Sequence, residues 1–369
     1  MFGPVFRITP AIAKALMSIE ASREAVAALP VDVAMLASLR ETARLRATHY
    51  STQIEGNRLT EVEVKAVVGG AHIPGRERDV HEVRNYYRAL ERIEALATRS
   101  GTIREGEVQR IHGLVMEGKA RATPYRDGQN VIRDAAKRRI VYMPPEASDV
   151  LPLMAQLFAW INDNLETADL PAPILAGLAH YQYATIHPYY DGNGRTARLL
   201  TTLLLHRAAY GLKGIYSLDE YYARNLGGYY RALAVGSSHN YYEGRAAADL
   251  TGFVEYFCAG MADAFAAVRA QAVRASARGA RDATPNLRRL DPRQRRLLEL
   301  LRARGVVTSS EIAGHLQLSP RTVTDLCRAW VEAGLLAMHD PSRKNRSYRL
   351  GDAFEDLAAP RLGATRRRR

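Results

Sequence analysis

A helical spacing of apolar residues runs through the first three quarters of this 369-residue chain and is interrupted at one place. Apolar residues that recur every three or four positions predict amphipathic helices. The predicted helices cover residues 31–50, 78–96, 102–116, 148–161, 174–186, 194–209 and 250–270. Thr60 followed by Glu63 is typical of a capping box and predicts the start of a further short helix. The fold class that this pattern indicates is mainly α.

The interruption lies between Tyr125 and Tyr142. Two short β-prone runs, Val131-Ile132 and Ile140-Val141-Tyr142, flank a polar tip and precede Pro144-Pro145, which predicts a β-hairpin. A two-stranded hairpin is only marginally stable in water by itself. We therefore expect the hairpin to pack against the helices or to serve a site.

The composition excludes several classes of protein. The two cysteines, Cys258 and Cys327, lie far apart in the sequence, which excludes a disulfide framework and a cysteine-based zinc site. No run of about 18 apolar residues occurs, so neither a membrane span nor a membrane partner is expected. Arg7, Pro10 and Lys14 interrupt the apolar N-terminal stretch, which is therefore not typical of a signal peptide. A reduced, cytoplasmic protein is expected.

The positive charge of the chain is concentrated at its C-terminal end. Residues 281–369 contain 19 Lys and Arg against 10 Asp and Glu, so +9 of the total +13 falls in the last quarter. A basic surface of this kind indicates a nucleic-acid partner. A solvated basic surface with a basic tail over 352–369 explains the charge equally well.

A separate compact unit is predicted over residues 291–351, after a linker over 271–290 that is rich in Arg, Ala and Gly. Helices are predicted over 292–304, 309–316 and 320–333, and two β-prone runs, Leu335–Met338 and Ser347–Leu350, flank a basic turn. Three helices followed by a two-stranded wing are typical of a winged helix-turn-helix.

The exposed face of this unit has groups that suit DNA. They are Arg321, Thr322, Thr324, Asp325 and Arg328 on the third helix and Arg343, Lys344 and Arg346 on the wing. Because Asp325 gives the helix a mixed sign of charge, DNA binding and a role in protein contact or dimerisation both stay open.

Residues 187–198 read HPYYDGNGRTAR and follow an apolar helix. A helix that begins near Gly192 and Gly194 offers backbone amides to an anion without side-chain bulk. Arg195 and Arg198 lie three positions apart on that helix, so we expect them to point to a similar side and to favour a polyphosphate.

Two further residues of this string complete a reaction site. The Asp191 carboxylate suits Mg²⁺, which proteins usually bind with one or two carboxylates plus phosphate oxygens. The His187 imidazole, with an ordinary pKa of about 6.5, can accept a proton from a hydroxyl near neutral pH. Nucleotide, metal and proton acceptor together indicate phosphoryl or nucleotidyl transfer.

The string resembles the motif of the Fic family, H-P-F-x-[DE]-G-N-G-R-x-x-R, with Tyr189 in place of the phenylalanine. The helix before it, the hairpin followed by Pro144-Pro145, and the stretch Tyr229–Leu233 also resemble parts of that family, so residues 30–265 look Fic-like. The resemblance implies a helical domain with a β-hairpin flap. The family's typical activity is AMPylation, in which a Ser, Thr or Tyr hydroxyl attacks the α-phosphate of ATP and pyrophosphate leaves.

The resemblance also implies a role for each residue of the site. His187 would deprotonate the target hydroxyl, Asp191 would hold Mg²⁺, and Arg198 would hold the γ-phosphate. The flap residues Ile140, Val141 and Tyr142 would align the target by strand addition. The ATP-binding residues would be Gly192, Asn193, Gly194, Arg195, Thr196, Ala197, Arg198, Tyr229 and Tyr230.

Residues 51–57 read STQIEGN and resemble the inhibitory motif of the same family, [ST]-x-x-x-E-[GN]. Ser51 and Glu55 lie one helical turn apart, and Gly56 can end the helix. Paired with Glu55, Arg198 could not hold the γ-phosphate, so ATP would bind in a poor orientation for attack. The predicted division is an N-terminal helical region over 1–100 with an inhibitory helix at about 46–57, followed by a catalytic core over 101–270.

Two functions follow from the sequence. The first is a self-inhibited adenylyltransferase that modifies a target protein or itself. The alternative is a transcriptional regulator in which the Fic-like domain senses a nucleotide and the winged helix binds DNA. Homodimerisation, the identity of the target and removal of AMP stay open.

Overall fold

The computed structural model describes residues 2–28, 33–134, 139–279, 290–316, 318–342, 346–352 and 354. The chain divides into two compact units, Met1–Arg274 and Ala275–Arg369, and each is described by itself. The mainly α fold class and the C-terminal winged helix are confirmed. Within the described ranges no helix has the length and apolar character that crossing a bilayer requires.

The first unit is built from helices and one hairpin. The elements are α1 (Pro10–Ala28), α2 (Val33–Ile54), α3 (Glu61–Val68), α4 (Glu77–Ala97), α5 (Glu105–Glu117), β1 (Ile132–Asp134), β2 (Arg139–Tyr142), α6 (Ala147–Thr167), α7 (Ala172–Ile186), α8 (Asn193–Arg207), α9 (Asp219–Arg224), α10 (Leu226–Leu233) and α11 (Thr251–Gly279), with 3₁₀ turns at Leu212–Gly214 and Arg245–Ala247. The capping box at α3 is present, since the Thr60 side chain accepts from the Glu63 amide and the Glu63 carboxylate accepts from the Thr60 amide.

Helix α7 lies at the centre of this unit. Thirteen of its fifteen residues are buried, and it packs against α6 and α8. An almost continuously apolar helix has no polar face for water, so it is stable only when other elements surround it. One hydrophobic core extends from Ile12 of α1 to Ala272 of α11, so the predicted parts 1–100 and 101–270 share a core.

The predicted hairpin is present as two antiparallel strands. The pairs Ile132↔Tyr142 and Asp134↔Arg139 fix its register, and β2 leads into Met143, which makes an isolated parallel bridge with Asn240. The Tyr142 side chain packs inward, and its hydroxyl donates to the Thr185 carbonyl of α7 at 2.8 Å. The hairpin therefore packs on the helices, as a lone hairpin must.

The second unit has a three-stranded sheet rather than the wing strands alone. Its elements are α12 (Pro292–Arg304), β3 (Val306–Thr308), α13 (Ser309–Leu316), α14 (Pro320–Glu332), β4 (Leu336–Asp340) and β5 (Ser347–Leu350), with strand order β3-β5-β4. Ser319 caps α14 by accepting from the Thr322 amide at 3.2 Å. Leu297, Ile312 and Trp330 are among the residues of a separate core.

Several predicted boundaries were wrong. Helix α5 begins at Glu105, not at residue 102, and its N-cap residue Arg104 makes no side-chain cap. Helix α11 continues to Gly279, so the first nine residues of the predicted linker are helical. Helix α1 was not predicted. The remaining linker residues 280–289, the wing residues Arg343 and Lys344, and most of the tail lie outside the described residues.

Candidate active site

His187 is positioned by the end of the central helix. Helix α7 stops at Ile186 because His187 adopts the left-handed conformation (φ 53°, ψ 58°), which is rare for a residue with a β-carbon. Its ring nitrogen Nδ1 lies 3.3 Å from the Ala184 carbonyl oxygen. A carbonyl can only accept, so we assign the proton to Nδ1 and leave the lone pair of Nε2 free. Burial lowers the pKa of His187 to about 4, so the ring is neutral at pH 7.

The loop after His187 is closed by Asn193. Its side chain accepts from the Tyr189 amide at 2.9 Å and donates to the Tyr189 carbonyl at 2.8 Å. Asn193 is 2% exposed, so its amide group is used to hold the loop and only its backbone remains for a ligand. The expectation that Asn193 belongs to the ATP-binding turn stays a prediction and concerns its backbone.

The loop also packs against α5, through Tyr189 of the loop and His112 of α5. Tyr189 is 4% exposed, and its ring stacks on His112 with centroids 3.5 Å apart. His112 Nε2 lies 3.0 Å from the Asp191 carbonyl oxygen, so we assign its proton to Nε2. The tyrosine that departs from the family motif is thus accommodated, with its hydroxyl 3.5 Å from the Thr123 carbonyl oxygen.

Gly192 and Gly194 meet different neighbours. Gly192 has φ +78°, and a β-carbon there would lie 2.6 Å from Met116 Sδ. A β-carbon on Gly194 would lie 2.5 Å from Glu55 Oε1 and 3.1 Å from Arg198 Nη1. Gly194 therefore leaves the space that these two charged groups occupy at the N-terminus of α8.

Arg198 is almost fully buried and bound by the end of α2. Its Nε donates to Ser51 Oγ at 2.7 Å, and its Nη2 donates to the Ser51 carbonyl and to Glu55 Oε1, both at 2.9 Å. A second carboxylate, Asp219 Oδ1, lies 3.2 Å from Nε. Burial raises the pKa of Asp219, and the positive charge of Arg198 opposes that rise.

Arg195 has different partners from Arg198. Its Nη1 donates to Glu82 Oε1 at 2.5 Å and its Nη2 to Asp191 Oδ1 at 3.1 Å. Glu82 of α4 also accepts from Asn57 Nδ2 at 2.8 Å. The two arginines were predicted to point to a similar side, but they bind different partners. The 51–57 segment contacts Arg195 indirectly, because Glu82 accepts from both Asn57 and Arg195.

Asp191 has room for a further ligand. Its Oδ1 accepts from the Gly192 amide at 2.6 Å and from Arg195, and its side chain is 57% exposed. Among the described residues Oδ2 has no hydrogen-bond partner, and no group of three or more metal-ligating side chains occurs. One exposed carboxylate fits Mg²⁺, which usually takes one or two protein carboxylates and completes its shell with water and phosphate oxygens.

Other predicted ATP-binding side chains are buried in the protein. Thr196 and Ala197 are 0% exposed on α8. Tyr229 is 3% exposed, and its hydroxyl lies 2.8 Å from His180 Nε2. These three side chains are packed inside the protein, and contact of the three residues with ATP stays a prediction. Tyr230, in contrast, is 50% exposed.

The three flap residues face different environments. Ile140 is 38% exposed, Val141 is partly buried and Tyr142 is 9% exposed. The Tyr142 side chain belongs to the core, so the flap can offer a target its backbone edge and Ile140 but not the tyrosine ring.

Sequence reasoning missed three charged residues of the site. Glu82 and Asp219 are the acids described above, and Arg126 is a buried arginine beside His187. Arg126 donates to the carbonyls of His187 and Gly128, at 3.0 and 2.9 Å, and to that of Pro145. Each lies far from the 187–198 string in sequence, and only the tertiary fold brings them to it.

Comparisons with known proteins agree with this architecture. Residues 102–205 match the Fic/DOC family model, and residues 293–346 match a helix-turn-helix domain model. Curated relatives named protein adenylyltransferase Fic include those of Drosophila erecta and Drosophila grimshawi, each 30% identical over 201 residues. That alignment covers 53% of this chain and only 39 to 40% of the relatives.

Solved structures extend the likeness over more of the chain. A Fic family protein from Desulfovibrio desulfuricans G20 is 25% identical with a TM-score of 0.59, covering 95% of this chain and 99% of that one. Fic-1 of C. elegans (residues 134–508) shares the fold at 24% identity, with a TM-score of 0.55 and 72% of each chain covered. The chain therefore contains a Fic/DOC domain over residues 102–205 and a helix-turn-helix domain over residues 293–346.

Proposed function

We propose that this chain transfers AMP from ATP to a Ser, Thr or Tyr hydroxyl of a target protein or of itself. The observation that carries the proposal is the state of His187, a neutral ring whose Nε2 has no hydrogen-bond partner among the described residues and which lies beside the buried Arg126. The adenylyltransferase names of the curated relatives support the same reaction class.

Each residue then has a part in the transfer. His187 Nε2 takes the proton of the target hydroxyl as its oxygen attacks the α-phosphate, and pyrophosphate leaves. The amides at the start of α8 and Arg195 hold phosphate oxygens, and Arg198 holds the γ-phosphate. Tyr230 contacts the nucleotide, and the edge of β2 aligns the target segment.

Asp191 would hold Mg²⁺ through its exposed carboxylate. When bound, the ion would neutralise charge that develops on the phosphate oxygens. Arg195, which donates to Asp191 Oδ1, keeps the carboxylate in place from its other side.

We further propose that Glu55 restrains this activity. Arg198 Nη2 is already used by Glu55 and by the Ser51 carbonyl, so a γ-phosphate must compete for the same edge of the guanidinium. Mg²⁺ use, self-inhibition and a cytoplasmic location were predicted from the sequence and stay predictions, and homodimerisation stays open.

Transfer of label from α-labelled ATP with Mg²⁺ tests the reaction. The samples are the wild type, Glu55→Gly, and Glu55→Gly combined with His187→Ala. We expect label on the chain or on lysate proteins with Glu55→Gly and loss of that label with His187→Ala. No label in any variant, with ATP binding intact, would contradict the proposal and favour a nucleotide sensor.

A second candidate function, DNA binding by the C-terminal unit, rests on one observation. The Arg321, Thr322, Asp325 and Arg328 side chains of α14 are all exposed on the C-terminal unit. DNA binding would show an affinity that falls steeply with salt concentration, because phosphate contacts release counterions. An Arg321→Ala and Arg328→Ala double variant with unchanged DNA affinity would contradict it.

A further inference from the structure

Arg198 lies between two carboxylates of different character. Glu55 follows the end of α2, and its side chain is 26% exposed. Asp219 begins α9, its side chain is 6% exposed, and the Tyr86 hydroxyl lies 3.5 Å from its Oδ1. One acid is therefore at the surface of the cluster and the other is enclosed in it.

The two acids address different edges of the guanidinium. Glu55 accepts from Nη2, whereas Asp219 Oδ1 lies 3.2 Å from Nε. The remaining nitrogen, Nη1, lies beside Gly194 at the start of α8. With Asp219 on the inner edge, Nη1 and Nη2 form a fork directed toward the anion-binding end of α8.

Release of the 51–57 segment would change these contacts unequally. Ser51 and Glu55 belong to that segment and supply three of the acceptors of Arg198. Asp219 belongs to α9 and would remain. Arg198 would then lose three acceptors while it stays buried, so the Asp219 carboxylate is the charged partner that would keep its guanidinium in the site.

We infer that Asp219 is a positioning residue for the proposed transfer: it holds the Nε edge of Arg198 so that Nη1 and Nη2 meet the γ-phosphate once Glu55 has moved away. The inference rests on the proposed function and names a part of the site that the 187–198 string does not contain. Asp219 itself touches neither the nucleotide nor the target.

The test measures binding of ATP and of ADP by calorimetry in the Glu55→Gly background. ADP lacks the γ-phosphate. Substitution of a residue that acts through Arg198 should therefore weaken the binding of ATP and leave the binding of ADP unchanged. We expect Asp219→Asn to reduce the preference for ATP over ADP by about tenfold, the loss typical of one interaction with a charged group. In a protein that already carries Arg198→Ala, Asp219→Asn should not reduce the preference for ATP over ADP any further.

Two controls separate positioning from general structural damage. Glu220→Gln removes the neighbouring acid of α9, which pairs with Arg46 at 3.2 Å and with Arg224, and should leave the ratio unchanged. If Asp219→Asn does not fold, Tyr86→Phe removes the hydroxyl beside Asp219 and should give a smaller loss of the same kind.

An unchanged or increased ATP preference in Asp219→Asn would overturn the inference, as would an equal loss of ATP and ADP binding. Failure of AMP transfer in Glu55→Gly would instead overturn the proposed function. The two failures are distinguishable because the nucleotide-binding ratio does not depend on transfer.

Discussion

Replacement of Glu55 by glycine removes one of the two carboxylates that face Arg198. Two unit charges about 4 Å apart attract by about 4 kcal/mol at an effective dielectric constant of 20. The Glu55 side chain is 26% exposed, and its oxygen lies 2.9 Å from Arg198 Nη2. Solvent screens the exposed part of the pair, so we take about half of that attraction, about 2 kcal/mol. This is the free energy by which the Glu55–Arg198 contact opposes binding of the γ-phosphate to Arg198.

A free energy of about 2 kcal/mol corresponds to about 30-fold in kcat/KM. Glu55→Gly should therefore raise kcat/KM for ATP by about 30-fold. Glu55→Gln keeps a neutral hydrogen bond of about half the strength, so a rise of about fivefold is expected. The assay is the initial rate of label transfer from α-labelled ATP at concentrations well below KM.

A glycine also loosens the backbone, and this effect needs its own control. Gln53 is exposed on the last turn of α2 and has no side-chain contact with Arg198. Gln53→Gly introduces the same flexibility without a change of charge and should leave the rate unchanged. Equal rates for the wild type and Glu55→Gly, or an equal rise in Gln53→Gly, would refute the electrostatic explanation.

Three further predictions concern pH and packing. Since burial lowers the pKa of His187 to about 4, transfer by Glu55→Gly should stay constant from pH 7.5 down to about 5.5, and an acidic limb centred at the ordinary value of about 6.5 would contradict this. Burial lowers the pKa of His180 to about 3, so between pH 6.5 and 3 the unfolded state binds the extra proton and stability falls with falling pH, by up to about 1.4 kcal/mol per pH unit. Urea unfolding at pH 5 and 7 should show a weaker pH dependence for His180→Gln. Gly192→Ala places a β-carbon at φ +78° and 2.6 Å from Met116 Sδ, so urea unfolding should show a loss of about 1 to 2 kcal/mol, and no loss would mean that the loop rearranges.

The fold was predictable where the sequence pattern is local and strong. Two such patterns are the helical spacing of apolar residues in α4 and the capping box at Thr60. Both depend on neighbours within four positions, and both were found as predicted. Helix α1 was missed because its many alanines give little contrast between its two faces. Helix α11 was predicted to end early because Arg-rich residues after 270 resemble a linker as much as a solvated helix.

The site was predictable only as far as one continuous string defines it. His187, Asp191 and Arg198 lie within twelve positions, so their relation to a loop and a helix start can be inferred from sequence. Glu82 and Asp219 reach the two arginines from α4 and α9, and no local pattern marks an acid for that role. The sequence leaves the role of Tyr229 open because an aromatic residue on a helix suits a core as well as a nucleotide pocket.

Arg126, which lies beside His187, affects the electrostatic potential of the site. Arg126 is 4% exposed and donates only to carbonyl oxygens, and no carboxylate pairs with it among the described residues. Carbonyl dipoles stabilise a cation without cancelling its charge, so Arg126 contributes a fixed positive potential at the end of α7. That potential acts against a proton on His187 and favours negative charge on an attacking oxygen, even after bound phosphates have neutralised the arginines of α8.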